Sequence, residues 1–551
     1  MLPSFTYSLP GSSTTGSRNK LSNLQLLASL AKELPFTVPR AHVLDGQHFY
    51  AAIENVLPGA LPTLIPETLN APLASRLRQH LLVQPLPEET ALALRAIHNA
   101  FQDASGSASL CVRSCFELED RERQSFAGAF ETVHAVDSFA ALCSAVQVVY
   151  ASVFAERALA ELQGITIKSF PPMSVAVQTM VGGIGWVGGV AHTQAPDLAP
   201  YPLMLISAAE DSAAVTSGAS IPEDYLVHRD YVTSADRAIV IQRQAGTLTT
   251  EQFSLSTDRL RELAKVLLAL EARFESPLEV EWLLDPHGQL YLLQARAAPR
   301  NSSFACSPWP STTLEPLASG LPVGHGAISA KLFHARTVSE AQSAPPGSIL
   351  VTDNTDPEWV PAIRRAAGIV TRIGARTSHV ARTARESGVL AVVGCGDAIE
   401  ALRDGASATI FCAEGLLGAV YAGIVKTGHV LTPAESVSIR HVSEAFSIAR
   451  SYRPDHVHLE LEPILAAYRL PKKGTSTAAL APRMRRRIAG HPSVDAFVHD
   501  KIVEAICLVA VAFPEANIST ALPTDSPWKG ILLAAAGTCL REFGTTIEVL
   551  A

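Results

Sequence analysis

The sequence predicts a multidomain protein of mixed α/β and α+β class, and three observations support this. The chain has 551 residues, which is enough for about three or four domains. Its hydrophobic patterns predict both helices and strands. A helix followed by a buried strand is predicted near residue 380, whereas polar and apolar residues alternate over 279–296 as in paired strands. Residues 299–313 are rich in Pro and Ser and lack periodicity, which is typical of a hinge between domains.

The segment 371–394 predicts a helix that begins beside His379. Thr377 is the expected N-cap, Gly388 the expected stop, and 389–393 a buried strand. In the first helical turn, free N–H groups and the helix dipole would stabilise a phosphoryl group on the imidazole by about 0.3–1 kcal/mol. A purely structural histidine near a cap is the alternative interpretation.

Two strands joined by a turn are predicted at residues 279–296. Glu279 and Glu281 would project from one face of the first strand, and Gln294 and Arg296 from one face of the second. Such oxygen donors beside a cation suit Mg²⁺ bound to nucleotide phosphates. An edge hairpin with cross-strand ion pairs would give the same pattern.

Cationic side chains nearer the N-terminus are candidates for phosphate binding. We expect a strand to deliver Arg113 to a loop, where its planar fork suits phosphate oxygens. The small residues from Ser125 to Gly128 predict a turn whose amides could lie over the same phosphates. Lys20 starts a predicted helix. Taken singly, Arg113 or Lys20 could equally be a surface residue.

Composition excludes several classes. The formal net charge of −8 gives no reason to expect nucleic acid as a partner. The eight cysteines include no CxxC pair, so neither a zinc site nor a disulfide framework is expected. The sequence has no apolar run long enough to predict a membrane span. Its first 18 residues are unlike a secretory signal. A cytoplasmic location is the expectation.

Several ordered motifs resemble the phosphoenolpyruvate synthase (pyruvate, water dikinase)-like family. The segment around His379 resembles its G-G-x-T-S-H-x-A-x-x-A-R-E-x-G-x-P-A-V-V-G signature, with Ala375 and Leu390 as departures. Further matches are TDPEWVP at 355–361, LCVRSCFELED at 110–120, SFAG at 125–128, and the 279–296 hairpin. The resemblance implies an ATP-grasp-like nucleotide-binding domain, a swivelling phosphohistidine β/α domain and a short helical C-terminal remnant.

The resemblance also implies domain boundaries and cofactors. The expected organisation is an ATP-grasp-like domain at 1–298, a linker at 299–318, the swivelling domain at 319–424, and a linker with a truncated barrel entry at 425–551. ATP and Mg²⁺ are the implied cofactors. The implied catalytic residues are His379 and Arg113, and Glu281 and Gln294 would hold the metal. The implied ATP-binding residues are Lys20, Arg113, Ser125, Gly128, Gln294 and Arg296.

The implied activity is transfer of a phosphoryl group from ATP to His379, releasing AMP and phosphate, and then to pyruvate. Residues 519–527 lack the arginine that holds the substrate in the family's barrel, so pyruvate as acceptor stays open. Family glycines are also replaced by Arg18, Asn19 and the 209–213 segment. A non-catalytic or regulatory relative, and a partial enzyme donating to a separate acceptor subunit, are the alternatives.

Overall fold

The computed structural model describes most of the chain. The described residues are 20–56, 58, 69–105, 109–116, 130–162, 170–196, 198, 202–210, 222–233, 240–244, 255–298, 316–324, 326–412, 418–425, 436–439, 456–466, 493–513, 516–522, 526–543 and 547–549. They form two compact units, one of residues 1–186 and 280–299 and the other of residues 187–279 and 300–551.

The first unit is built on an antiparallel sheet of four strands in the order β1-β4-β2-β3. These strands are β1 (Ala41–Leu44), β2 (Leu110–Phe116), β3 (Thr132–Val136) and β4 (Met173–Thr179). The helices are α1 (Lys20–Leu30), α2 (Gly46–Val56), α3 (Ala71–Val83), α4 (Glu88–Ser105), α5 (Phe139–Ser152) and α6 (Glu156–Leu162). Apolar side chains of α2 to α6 pack against the sheet in one core, with Phe49, Tyr150 and Phe170 at its centre.

The second unit begins with four antiparallel strands. They are β5 (Val187–His192), β6 (Leu203–Ala208), β7 (Glu223–His228) and β8 (Val240–Gln244), followed by helix α7 (Thr257–Phe274). Every residue of β6 and β7 is buried. Polar residues of β7 therefore need partners inside the protein, and one of them, Asp224, accepts a hydrogen bond from the hydroxyl of Ser207.

The predicted hairpin is confirmed. Strands β9 (Leu278–Leu284) and β10 (Leu290–Ala297) are hydrogen-bonded neighbours. The turn between them is fixed by Asp285, whose Oδ1 accepts hydrogen bonds from the amides of His287 at 2.9 Å and Gln289 at 2.8 Å. Gly288 takes the left-handed conformation that completes the turn, with φ of 82°.

A closed barrel of seven strands follows, in the order β11-β15-β14-β13-β12-β16-β17. Its strands are β11 (Ala318–Val323), β12 (Gly326–His334), β13 (Ile349–Thr352), β14 (Gly368–Thr371), β15 (Leu390–Val393), β16 (Ser407–Cys412) and β17 (Gly418–Ala422). Its helices are α8 (Val338–Ser343), α9 (Val360–Arg365) and α10 (His379–Ser387). Strands β13, β14 and β15 are parallel, so helices α9 and α10 are their crossover connections.

The last part of the second unit contains a parallel sheet in the order β18-β19-β20-β21. Its strands are β18 (Ser436–Ile439), β19 (His456–Glu460), β20 (Asn517–Ala521) and β21 (Ile547–Val549), and its helices are α11 (Leu461–Ala466), α12 (Val494–Ala512) and α13 (Lys529–Thr538). The prediction of a short helical remnant was therefore incomplete. These strands are only three to five residues long, which is too short for a periodic pattern to stand out in the sequence.

The mixed α/β multidomain class is confirmed by these sheets and helices. None of the helices in the described ranges, including the apolar 19-residue α12, meets the length and hydropathy that a membrane span requires.

Candidate active site

His379 is the first residue of α10, the crossover helix between the parallel strands β14 and β15. It therefore lies where the chain leaves the carboxyl end of β14. Ligands of parallel sheets bind at such ends, and anions bind at the first turn of the helix that follows. The predicted helix, its left-handed end at Gly388 with φ of 68°, and the following strand are confirmed.

The predicted N-cap was wrong by one residue. Ser378, not Thr377, occupies the cap position, with φ of −64° and ψ of 159°, and makes no side-chain capping bond. Its hydroxyl instead donates to the carbonyl oxygen of Ala375 at 2.8 Å. The hydroxyl oxygen of Thr377 is buried and has no hydrogen-bond partner among the described residues. A phosphoryl oxygen would be a suitable acceptor for such a hydroxyl.

Two glycines of the motif let the turn before His379 approach the end of β15. A Cβ atom on Gly394 would lie 2.8 Å from the carbonyl oxygen of Gly374, and a Cβ on Gly374 would lie 2.9 Å from Cβ of Val393. Ala375 replaces a family glycine at no conformational cost, because its φ is not positive. This departure therefore leaves the turn intact.

The imidazole of His379 is held in a cationic setting. Its residue is 8% exposed, and Nε2 lies 3.5 Å from Oγ1 of Thr383, one helical turn further on. Arg376 precedes it in the turn, and Arg382 and Arg385 follow on α10. Nη1 of Arg385 donates to the carbonyl oxygen of Arg376 at 2.7 Å, which orders the turn. Positive charge around the imidazole favours a phosphorylated form.

In the first unit, Arg113 joins two of the predicted metal ligands. Its Nη2 donates to Oε2 of Glu281 at 3.1 Å and to Oε1 of Gln294 at 3.0 Å, and its Nη1 donates to the carbonyl oxygen of Leu293 at 3.4 Å. Arg113 was expected in a loop but lies in the middle of β2, because the strand continues to Phe116. We call Arg113, Glu281 and Gln294 the arginine cluster.

The arginine cluster meets the chemical requirements of a partial Mg²⁺ site. Glu281 and Gln294 present oxygen donors on adjacent strands, and the Glu281 side chain is 25% exposed, so a cation can reach it. Within the described ranges no three His, Cys, Asp or Glu side chains form a metal site. Mg²⁺ commonly takes one or two protein oxygens and completes its shell with phosphate oxygens and water. The donor set therefore fits a metal that arrives with a nucleotide.

Further cationic residues accompany the arginine cluster. Burial raises the pKa of the Cys111 thiol on β2, and the positive charges of Arg113 and Lys20 oppose this rise, so both lie close to that thiol. Lys20 is the first residue of α1, as predicted. Arg296 is buried on β10, two residues after Gln294 and hence on the same face. Arg113, Glu281 and Gln294 are thus brought into contact, and Lys20 is carried by α1, which packs against β2 and β10.

Other expectations have different outcomes. Ser125 and Gly128 lie outside the described residues. Glu279 was expected to face a metal with Glu281, but its Oε1 is 2.6 Å from Nη2 of Arg382 and its Oε2 is 3.4 Å from Nε2 of His192. The sequence reasoning did not single out Arg382 or Thr383. Their positions three and four residues after His379 were the available signal, since such residues share a helix face.

Known proteins show similarity to both parts of the chain. Residues 20–306 match the family described as pyruvate phosphate dikinase, AMP/ATP-binding domain, and residues 344–415 match the PEP-utilising enzyme, mobile domain. A solved structure of D-alanyl-alanine synthetase A from Vibrio cholerae is 11% identical, covering 51% of this chain and 55% of that chain, and its TM-score of 0.23 is too low to carry an argument.

Among curated proteins, the phosphoenolpyruvate synthase of Escherichia coli is 33% identical over 390 residues, which cover 65% of this chain and 48% of that protein. The phosphoenolpyruvate synthases of Neisseria meningitidis and Pseudomonas aeruginosa are each 29% identical and cover 81% and 82% of this chain, and 63% of either protein. The chain thus spans about half to under two thirds of these relatives. Because the nucleotide-binding match covers more than half of the sequence and the mobile-domain match contains His379, the chain belongs to the pyruvate phosphate dikinase and phosphoenolpyruvate synthase family.

Proposed function

We propose that this protein is an ATP-dependent phosphotransferase that phosphorylates its own His379. The observation that carries the proposal is the position of His379 at the first turn of α10, in a segment that also carries Arg376 and Arg385. Free backbone amides of this turn and the positive charges of Arg376 and Arg385 would stabilise a phosphorylated imidazole there. The match of the surrounding residues to a PEP-utilising mobile domain supports the same role.

The proposed reaction divides ATP into three parts, as in the dikinases that the chain resembles. A nitrogen of the neutral His379 imidazole attacks the β-phosphorus, the bond from this phosphorus to the oxygen bridging it to the α-phosphate breaks, and AMP leaves. Water then removes the γ-phosphoryl group as phosphate, so the β-phosphoryl group stays on His379. The imidazole therefore carries the phosphoryl group only until it is transferred to the acceptor.

The residues of the first unit would bind the nucleotide. Lys20, Arg113 and Arg296 would neutralise phosphate charge, and Ser125 and Gly128 would contribute to the same site by resemblance. Glu281 and Gln294 would hold Mg²⁺, which when bound neutralises the charge that develops on the phosphate oxygens. Arg113 donates to both of those side chains, so it would have to transfer its hydrogen bonds to phosphate when Mg·ATP binds.

The acceptor that the relatives' names suggest is pyruvate, which would leave as phosphoenolpyruvate. We propose pyruvate on that ground, although residues 519–527 lack the arginine expected in the family's barrel. Chasing phosphorylated protein with pyruvate and measuring labelled phosphoenolpyruvate tests this step apart from the loading of His379. Label that stays on the protein with pyruvate, but leaves with another acceptor, would contradict it.

Labelled ATP tests the loading step. With β-labelled ATP, the wild-type protein should gain acid-labile label and release AMP, and His379→Ala should gain none. With γ-labelled ATP, the label should appear as free phosphate. The proposal would be contradicted if the two proteins were labelled equally, or if neither protein released AMP.

A nucleotide-binding relative without catalysis is the second candidate. The loss of family glycines in the 209–213 segment favours it, because a Cβ-bearing backbone approaches a ligand less closely. Calorimetry with Mg·ATP separates the two candidates. Binding with no AMP produced would support this alternative, whereas binding with AMP release would exclude it.

A further inference from the structure

A buried ion pair connects the helix of His379 to Glu279, a residue of the same unit that is distant in the sequence. Nη2 of Arg382 lies 2.6 Å from Oε1 of Glu279, and the two side chains are only 18% and 6% exposed. The residues are 103 positions apart in the sequence. Arg382 is three residues after His379 on α10, so the pair acts on the helical turn that carries the imidazole.

The carboxylate of Glu279 is engaged on its other side as well. Its Oε2 lies 3.4 Å from Nε2 of His192, which is buried at the end of β5. Burial lowers the pKa of His192 against the opposing influence of Glu279. A neutral imidazole protonated on Nε2 can donate to the carboxylate, so Glu279 keeps its charge for Arg382. The oxygens of Glu279 are therefore both oriented toward named partners.

A second carboxylate of this unit lies within electrostatic range of the same segment. Asp224 on β7 is buried, and the charges of Arg376 and Arg385 oppose the rise in its pKa that burial causes. Arg376 comes from the turn before His379, and Arg385 from the last turn of α10. Arg382 thus pairs directly with Glu279, whereas Arg376 and Arg385 act on Asp224 only through their charge.

Stability alone is a poor reason for such an arrangement. A buried ion pair is frequently no more stabilising than apolar side chains of similar volume, because both charges must lose their water. The pair does provide orientation, since a short bond between fixed side chains allows few positions of the helix.

We propose that Glu279 and Arg382 are positioning residues that hold the helix of His379 in place for phosphoryl loading. They act through the orientation of the helix and touch neither the phosphate nor the reacting nitrogen. His192 orients the Glu279 carboxylate. This inference rests on the proposed phosphorylation of His379 and adds to it the contact that places the imidazole.

The test compares Glu279→Gln, Arg382→Gln and the exchanged pair Glu279→Arg with Arg382→Glu. Arg372→Gln is the matched control, because Arg372 belongs to the same unit but pairs with exposed carboxylates of Asp353, Asp397 and Glu400. Each protein is assayed for the single-turnover rate of His379 labelling, for Mg·ATP affinity by calorimetry, and for thermal unfolding. Modification of His379 by diethyl pyrocarbonate, mapped by mass spectrometry without nucleotide, reports the accessibility of the imidazole.

Each single variant should slow labelling by about tenfold or more, since small displacements of a reacting group are costly, while Mg·ATP affinity stays near the wild-type value. Diethyl pyrocarbonate should modify His379 faster in both. The exchanged pair should recover part of the labelling rate and part of the protection, and Arg372→Gln should behave as wild type.

Unchanged labelling and protection in the single variants would overturn the proposal, as would labelling that falls only in step with nucleotide affinity. An exchanged pair that is worse than either single variant would also contradict it. If the wild-type protein takes no label at all, the proposed function fails instead. The protection of His379 would then still show whether the contact holds the helix.

Discussion

Arg113 and Glu281 form an ion pair, with 3.1 Å between Nη2 and Oε2, although they are 168 residues apart in the sequence. The same Nη2 also donates to Gln294 at 3.0 Å. The guanidinium therefore occupies the two oxygen donors that the family resemblance assigns to Mg²⁺. It neutralises Glu281 before nucleotide binds, and a phosphate oxygen could take its place as partner when the metal arrives.

Replacing Arg113 by lysine should separate charge from geometry. A lysine keeps the positive charge, but a single ammonium cannot reproduce the planar fork that binds Glu281, Gln294 and the Leu293 carbonyl. We expect labelling of His379 from ATP to fall by about 100-fold, as for other preorganised donors to transition-state charge. The free energy of unfolding should fall by about 1 kcal/mol, because both partners of the pair are partly solvated.

The control for this prediction is Arg372→Lys. Arg372 also binds several carboxylate oxygens, at 2.6, 2.9 and 3.3 Å, but all of its partners are exposed. It should leave both labelling and stability unchanged. The single-turnover rate measures labelling, and the denaturant midpoint measures stability. A wild-type labelling rate in Arg113→Lys would mean that the planar fork of the arginine has no role in catalysis.

Local features of the site could be predicted from the sequence. The helix that starts at His379, its stop at Gly388 and the turn at Asp285 depend on neighbouring residues, whose preferences are visible in a short window. The cap was misassigned because Thr377 and Ser378 are both good cap residues, and only the hydrogen bond of Ser378 to Ala375 distinguishes them.

Long-range partners could not be predicted. The face of Glu279 on its strand follows from alternation, but its pairing with Arg382 depends on how two elements 103 residues apart meet. Arg113 was placed in a loop because nothing in the sequence shows that β2 continues to Phe116. The predicted boundaries at 298, 318 and 424, and the assigned roles of the site residues, stay predictions.

The buried carboxylate of Asp224 should make stability depend on pH. Burial raises its pKa from 3.8 to about 6, against the hydrogen bond from Ser207 and the charges of Arg376 and Arg385. Between these values the folded protein binds more protons than the unfolded chain, so this group lowers the free energy of unfolding as pH rises. A shift of this size corresponds to about 3 kcal/mol at most.

Asp224→Asn should remove this contribution, since its side chain stays neutral and can still accept from Ser207. Denaturant unfolding of both proteins at pH 5 and pH 7.5 measures the effect, and wild type should lose more stability than the variant on going to the higher pH. Asp230→Asn, at an exposed position next to β7, is the control and should follow wild type. Parallel pH profiles for wild type and Asp224→Asn would contradict this account.

The close approach of Gly374 and Gly394 predicts a large cost for a methyl group. Gly394 has φ of 73°, and a Cβ atom there would lie 2.8 Å from the carbonyl oxygen of Gly374. Gly394→Ala should lower the free energy of unfolding by about 2–4 kcal/mol, from left-handed strain and overpacking together. It should also slow labelling of His379, because the turn that carries the imidazole must move.

Gly405→Ala is the matched control for Gly394. Gly405 has nearly the same φ, 72°, but a Cβ atom there would meet nothing within 4 Å. This variant should lose only the conformational part, about 1 kcal/mol, and should label normally. Equal losses of stability in the two alanine variants would show that contact with Gly374 contributes nothing.

The hydroxyl of Thr383 should orient the imidazole of His379. Its Oγ1 lies 3.5 Å from Nε2 of His379, and both residues are buried on the same side of α10. Thr383→Val keeps the branched shape but removes the hydroxyl, so the helix should form and the imidazole should rotate more freely. We expect the labelling rate to fall by about tenfold, with little change in the denaturant midpoint.

Thr383→Ser is the matched control, because it retains the hydroxyl and should label close to the wild-type rate. Equal rates for the valine and serine variants would mean that the contact does not orient the histidine.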